Sequence, residues 1–485
     1  LTNNSKIRVR FAPSPSGELH VGGARTALFN WLFARHHNGT FVLRFEDTDE
    51  QRNDPSLFEP IMESFRWLGL EWDEGPYYQS ERLAIHQEYV QTLLENGKAY
   101  NCFCTSEELD AKRQAAQKAK ENYRYDGKCR NLSTAEKETN KAENLKSVVR
   151  LKVESTGQTQ IHDIIKGDLS FENSEIDDFI IQRSNGRPIY NFVVAIDDAL
   201  MEISHVIRAE EHLKNTLRQY FVYKALDLNI PQFAHVPMVL AKDRAKLSKR
   251  HGATAVFEYR DRGILPEALV NYLVRLGWSH GDQEIFTQDE LIEKFALDDV
   301  NDSAAIYDEE KLQWVNHQYV MHGNINELGS LTKQFAVSRE IYSEEEANSV
   351  SEESWARVVD FLKERSESII ELAESSVPFL KPELETYDAA AVQKFLTPDK
   401  APLLLLLSDA ARELPQNEFS TANIDAAMRA KLQENGNELK EVAQPCRIAL
   451  TGVTKGPGLF EAMEFLGKER VIDRLNKAID MIGER

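Results

Sequence analysis

RFAPSPSGELHVGG (residues 10–23) runs straight into ARTALFNW (residues 24–31). Ahead of it Ile7, Val9 and Phe11 alternate with Arg8, Arg10 and Ala12, the period-two pattern of a two-faced strand. Behind it Ala24, Ala27, Leu28, Trp31 and Leu32 recur at helical spacing. A strand therefore feeds a Pro/Gly-punctuated loop, and the loop feeds a helix. In an open parallel sheet such a junction binds nucleotides, because free backbone N–H groups and the positive dipole end of the helix face the phosphates.

A chain of 485 residues predicts two to four domains with ample core. The net charge of −21 argues by itself against a nucleic-acid partner. RNA contacts need only a local basic face, however, and Lys242, Arg244, Lys246, Lys249, Arg250, Arg260 and Arg262 supply one. No long uncharged apolar run and no signal-like N-terminus occurs, so a cytoplasmic protein without membrane contact is expected. Of the four cysteines, Cys102, Cys104 and Cys129 cluster. Two soft ligands two positions apart, with a third after a helix-sized excursion, predict a structural Zn²⁺ site whose fourth ligand the spacing leaves unnamed.

APSPSGELHVGG (residues 12–23) resembles the first signature of class I aminoacyl-tRNA synthetases in the form found in bacterial glutamyl-tRNA synthetases. KLSKR (residues 246–250) resembles the second signature, the lysine loop. Either alone is weak; the pair, in this order, is specific. The implied fold is an α/β Rossmann-type catalytic domain split by a zinc-containing α+β insertion and followed by an all-α anticodon-binding region. The implied boundaries are 1–100 and 187–245 for the two Rossmann halves and 101–186 for the connective insertion that receives the tRNA acceptor end. Residues 246–324 would form the lysine loop and a stem-contacting helical region, and 325–485 the anticodon-binding domain. The implied activity is ATP- and Mg²⁺-dependent formation of glutamyl-adenylate, with transfer to tRNA(Glu) by a monomeric enzyme whose first step itself needs tRNA.

By this resemblance His20, Lys246 and Lys249 are catalytic, and His20, Gly22, Gly23, Lys246, Ser248 and Lys249 bind ATP. The signature often ends in histidine where this chain has Gly23, so no second histidine role is assigned. Arg10, Ala12, Ser14, Glu46, Tyr190 and Arg208 would bind L-glutamate, with Arg10 and Arg208 meeting its carboxylates. Taken alone, Arg208 reads instead as an ion-pair partner for Glu210 or Glu211, and the polar cluster at Glu46 as a solvated turn. Tyr125 matches the family's tyrosine zinc ligand beside Cys102, Cys104 and Cys129, whereas the alternative histidine position is Asn131.

Local patterns add further expectations. Residues 41–49 read as a strand ending in polar residues, and 61–68 as a helix with Trp67 in the core. Residues 75–80 read as a turn, with Ser80 and Glu81 capping a helix over 83–94. Residues 148–153 and 178–182 read as strands, and the apolar run through Val193 to Asp198 as a buried parallel strand. Residues 265–278 form an amphipathic helix with Ala268, Leu269, Tyr272, Leu273 and Leu276 on its apolar face. Further on, 358–372 and 389–395 are helical, Pro402 opens a buried helix, and Cys446 packs as a small hydrophobe. Residues 375–379 lack the arginine of many discriminating relatives, which points to charging of tRNA(Gln) as well.

The nearest rival is a glutaminyl-tRNA synthetase, which resemblance disfavours at residues 13–17 and at Arg208. A truncated relative that glutamylates a modified tRNA base would end near residue 300. A small-molecule adenylyltransferase would not need the helical C-terminal third, and a zinc RNA-binding module would not need both phosphate motifs.

Overall fold

The computed structural model describes residues 6–48, 53–247 and 255–484. Two compact units emerge, one of Leu1–Tyr259 with Leu269–Glu309, the other of Arg260–Ala268 with Glu310–Arg485.

In the first unit β1 (Arg8–Phe11) leads through the 12–20 loop to α1 (Val21–His36) and β2 (Thr40–Phe45). The helix α2 (Phe58–Trp67) then leads to β3 (Glu74–Tyr78) and α3 (Leu83–Glu95). Both β1 and β3 pair with β2 in parallel. The 75–80 stretch is therefore largely an edge strand and not a turn: residues 74–78 of β3 alternate only between exposed and half-buried, so no apolar alternation marks it. A Cβ on Gly75 would meet the Leu43 carbonyl at 2.2 Å, so only glycine lets β3 approach β2 this closely. The expected cap is also corrected. Ser80 gives its N–H and hydroxyl to Asp47, at 2.8 and 2.6 Å, and α3 follows a 3₁₀ turn over Gln79–Arg82 with no side-chain cap. In α2 the core aromatic is Phe65, fully buried, whereas Trp67 is half-buried.

β4 (Ala99–Cys102) begins a second layer with α4 (Ser106–Ala119), α5 (Thr134–Ala142) and β5 (Val148–Leu151). The hairpin β6 (Gln158–Asp163) and β7 (Gly167–Glu172) follows, then β8 (Ile180–Gln182). β4, β5 and β8 form a small antiparallel sheet. The expected strand over 193–198 is instead the helix α6 (Tyr190–Leu200), buried along most of its length. A short apolar run flanked by polar residues fits a buried helix as well as a strand. After it come β9 (His205–Ala209), α7 (Leu213–Leu226), β10 (Gln232–Val236) and β11 (Val239–Leu240). β10 lies parallel to β9 on one side and β6 on the other, giving the order β7-β6-β10-β9. β9 in turn runs beside β1, where Ser204 N–H donates to the Arg8 carbonyl at 2.9 Å and Asn30 on α1 donates to the Ile207 carbonyl at 3.0 Å. β1 and β9, the end strands of the two sheets, thus lie side by side, and strand ends at such a junction are where an α/β fold opens its ligand crevice.

Beyond the lysine loop lie α8 (Val256–Asp261), α9 (Pro266–Arg275), α10 (Gln288–Lys294) and β12 (Ala305–Ile306), which pairs with β11. α9 is buried on nearly every side, Val270, Asn271 and Val274 included, rather than on the single face expected.

After α11 (Glu309–His322) the second unit continues as α12 (Ile325–Ser338), α13 (Glu344–Ser349), α14 (Glu352–Leu362) and α15 (Ile369–Leu380). The helix expected over 358–372 is thus two, because Ser368 leaves helical geometry and caps α15 by accepting from Glu371 N–H. Then follow α16 (Ala389–Phe395), α17 (Ala401–Glu413), α18 (Thr421–Glu434), α19 (Ala443–Thr451), α20 (Leu459–Leu466) and α21 (Lys468–Gly483). α17 opens with Pro402 and buries Leu403, Leu404 and Leu407, but Leu405 faces solvent. Cys446 is fully buried, as a small hydrophobe should be.

Candidate active site

The entrance of α1 is built around one histidine. His20 is extended at φ −90° and ψ 161°, and its Nδ1 accepts from Gly23 N–H at 3.2 Å, so the imidazole serves as the helix N-cap. A Cβ on Gly22 would lie 3.2 Å from the ring. Glycine here first seats the histidine, a reason that spacing alone did not suggest. Surrounding protein and then the Lys246 cation lower the basicity of His20. Lys246 follows a tight hairpin, in which Ala241 N–H donates to the Ala245 carbonyl at 2.9 Å, and its Nζ lies 2.8 Å from Glu211. That contact holds Glu211 below the usual carboxylate range. Ala255 bridges to His20 in antiparallel fashion. Lys246 and Ala255 thus both lie near His20 of the first signature. Ser248 and Lys249 lie outside the described residues.

Next to this entrance the strand ends gather charge. Arg10 on β1 is 4% exposed and binds Asp198 with Nε at 3.0 Å and a terminal nitrogen at 3.3 Å. Arg44 on β2, fully buried, reaches the same carboxylate at 2.9 Å and Glu46 at 3.5 Å. Burial opposes the charge on Arg44, but Asp198 and Glu46 outweigh it and raise its pKa. Asp198 is shifted the other way: burial raises its pKa, and Arg10 and Arg44 more than reverse that. Glu46 keeps the penalty of burial, and its pKa is pushed up to about 7. An ammonium group arriving beside it would favour the carboxylate form. Its N–H donates to the Pro13 carbonyl at 2.9 Å, which ties the end of β2 to the loop carrying Ala12 and Ser14. Tyr190, at the start of α6, feels Glu46, Arg208 and Arg10, although burial is the largest cause of its raised pKa. Tyr190 is therefore close enough to Glu46, Arg208 and Arg10 to feel the charge of all three.

Arg208 differs from Arg10. Glu210 binds Lys166 at 2.5 Å and Glu211 binds Lys246, so neither makes the ion pair that local reading expected. Arg208 is 6% exposed and, among the described residues, donates only to neutral groups: His235 Nε2 at 3.1 Å, Gln219 Oε1 at 2.8 Å and Thr216 Oγ1 at 2.6 Å. Burial lowers its pKa. A buried guanidinium without a carboxylate is costly unless something anionic arrives.

Sequence reasoning missed most of this support. Asp198 sat at the end of a run read as strand, while Arg44, Thr216, Gln219 and His235 carried no local signal. A second buried acid, Asp197, is also enclosed, by His86 at 2.9 Å, Arg82 at 2.8 Å and Gln79 at 2.9 Å.

The cysteine cluster forms as spacing predicted. Sulfurs of Cys102, Cys104 and Cys129 lie within 4.8 Å of one another, with Cys104 and Cys129 at 3.7 Å. With Zn–S near ~2.3 Å, a tetrahedral site separates its sulfurs by roughly 3.8 Å. The Tyr125 hydroxyl sits 3.3 Å from Cys102 and 3.7 Å from Cys104, where a fourth donor is needed. The residues present therefore fit Zn²⁺.

Residues 6–314 match the family model described as tRNA synthetases class I (E and Q), catalytic domain, and residues 327–479 match an anticodon binding domain. Fold and site thus define a class I tRNA synthetase. A glutamate–tRNA ligase from Geotalea uraniireducens (strain Rf4) is 48% identical over 478 residues, covering 99% of each chain. One from Geobacter sulfurreducens is 46% identical over 475 residues, covering 98% of this chain and 99% of its own. The crystal structure of a glutamate tRNA ligase from Elizabethkingia meningosepticum CCUG26117, in complex with its amino acid, is 34% identical. It superposes with a TM-score of 0.87 and covers 99% of this chain and 100% of that one. The chain belongs to the glutamate–tRNA ligase family. Among the described residues no helix is long and apolar enough to cross a membrane.

Proposed function

We propose that this enzyme joins L-glutamate to ATP as glutamyl-adenylate, releasing pyrophosphate, and passes the glutamyl group to the terminal ribose hydroxyl of tRNA(Glu). The observation that carries this reading is Arg208, a buried cation held by neutral partners. A carboxylate is already a nucleophile, so attack on the α-phosphorus needs no general base, and catalysis is positioning plus charge stabilisation. His20 and the start of α1 hold ATP, while Lys246 and Lys249 meet the leaving phosphates together with Mg²⁺. Arg10 and Arg208 take the carboxylates of glutamate, and Glu46 its ammonium group. Arg10 comes already neutralised by Asp198, so the side-chain carboxylate is better matched to Arg208.

Glutamate-dependent pyrophosphate exchange, with and without tRNA(Glu), tests the reading. Exchange that requires glutamate and tRNA is expected; equal exchange with glutamine would overturn it. A second reading adds tRNA(Gln) as an acceptor, because residues 375–379 on α15 carry no arginine. Aminoacylation of purified tRNA(Gln) decides that point.

We also propose structural Zn²⁺ held by Cys102, Cys104, Cys129 and Tyr125, where it would tie β4 to the 125–129 segment. Elemental analysis should find about one equivalent of zinc in the parent and lose it in a Cys129→Ser protein, whose connective region should unfold at lower temperature. A full equivalent retained in the variant would exclude Cys129 as a ligand.

A further inference from the structure

We infer that Asp163 and His235 are positioning residues for amino-acid selection: Asp163 fixes the His235 tautomer that presents a bare Nε2 to Arg208, holding the guanidinium in place without cancelling its charge. The inference rests on the glutamate-binding reading above and concerns how Arg208 is kept ready.

The hydrogen bonds determine the tautomer. Arg208 Nε–H points at His235 Nε2 at 3.1 Å, and a guanidinium cannot accept. Thr216 Oγ1, which accepts from Arg208 at 2.6 Å, lies 3.0 Å from the same Nε2 and can share its proton with it. With donors on that side, the ring proton resides on Nδ1 and is given to Asp163 Oδ2 at 2.6 Å. Both side chains are fully buried. Burial, reinforced by the Arg208 cation, keeps His235 below its usual pKa although Asp163 pulls the other way. A direct carboxylate at Arg208 would hold it equally well but would neutralise the charge meant for substrate. An interposed neutral imidazole avoids this.

Asp163 is itself locked. Its other oxygen accepts from the backbone N–H of Ile165 at 3.1 Å, Lys166 at 2.8 Å and His235 at 3.2 Å. Asp163 ends β6, where it pairs with Phe233 on β10, so a hairpin contributed from the connective stretch supports the amino-acid pocket.

This lock makes Asp163→Asn diagnostic. The three backbone donors would claim the amide oxygen, leaving the amide NH₂ facing His235 Nδ1. The ring would then move its proton to Nε2, directly against Arg208 Nε–H. At saturating tRNA(Glu), glutamate KM should rise about 10- to 100-fold and preference over glutamine should fall by a similar factor, with KM for ATP unchanged. His235→Asn, which keeps a group facing Asp163 but cannot reach Arg208, should behave alike. His235→Gln, whose amide oxygen reaches the Nε2 position, should stay within about 3-fold of the parent. Glutamate KM within about 3-fold of the parent in both Asp163→Asn and His235→Asn would overturn the inference, as would equal rises for glutamate and ATP or a His235→Gln variant as impaired as His235→Asn. If Asp163→Asn fails to fold, the two His235 variants decide alone. Absence of glutamate-dependent exchange in the parent would instead sink the glutamate reading itself.

Discussion

Arg208→Met should leave a folded protein that has lost its grip on glutamate. In the free protein Arg208 meets no carboxylate among the described residues, only Thr216, Gln219 and His235, so removing its charge relieves a desolvation cost rather than breaking an ion pair. With glutamate bound the same charge would pair with an anion in a site nearly closed to water. Truncating one partner of such a pair costs about 3 to 5 kcal/mol, which corresponds to roughly 10²- to 10³-fold or more in kcat/KM. Preference over glutamine should shrink as well, since a neutral amide no longer strands a buried cation. Exchange kinetics at saturating tRNA, titrating glutamate and glutamine separately, measure both quantities. A glutamate kcat/KM within about 3-fold of the parent would remove Arg208 from the pocket.

That contrast between the two arginines was only half legible beforehand. The strand, loop and helix around His20 could be read because their apolar periodicity is local, and the three cysteines because metal-ligand spacing is local too. Arg208 and Arg10 entered through resemblance, but nothing nearby in sequence says that Arg10 is already paired and Arg208 is not. Their partners come from other elements: Asp198 from α6, Thr216 and Gln219 from α7, His235 from β10. Glu210 and Glu211, the obvious local partners, are drawn away by Lys166 and Lys246. Misreading α6 as a strand had a cost of its own. On a helix Asp197 and Asp198 point in different directions, one to His86 and Arg82, the other to Arg10 and Arg44. Gly75 shows the converse: a glycine-proline pair suggested a turn, but the glycine is required by the close approach of two strands.

Asp198→Asn should be the most destabilising conservative change in the catalytic unit. The carboxylate is 1% exposed and serves two buried guanidiniums, Arg10 at 3.0 Å and Arg44 at 2.9 Å. The amide keeps the shape but removes the charge, and removing one partner from a buried ionic cluster costs about 3 to 5 kcal/mol. Part of that is recovered. Asp198 is one of the groups that raise the pKa of Glu46, so in its absence Glu46 ionises more readily and takes over some of the compensation of Arg44. Arg10 also feels the Glu46 charge, but it would lose the carboxylate that both of its side-chain hydrogen bonds meet. The sign of the pH dependence follows from the lowered pKa of Asp198. A carboxylate more acidic in the folded state stabilises fully above its unfolded value, near ~3.9, and loses that contribution as pH falls through the folded value. Urea unfolding of the catalytic unit should therefore show the full deficit of Asp198→Asn at pH 7 and a shrinking one in strongly acidic buffer. A deficit below about 1 kcal/mol at pH 7 would mean that Arg10 and Arg44 find compensation elsewhere, and a deficit that grew on acidification would reverse the assigned direction of the shift.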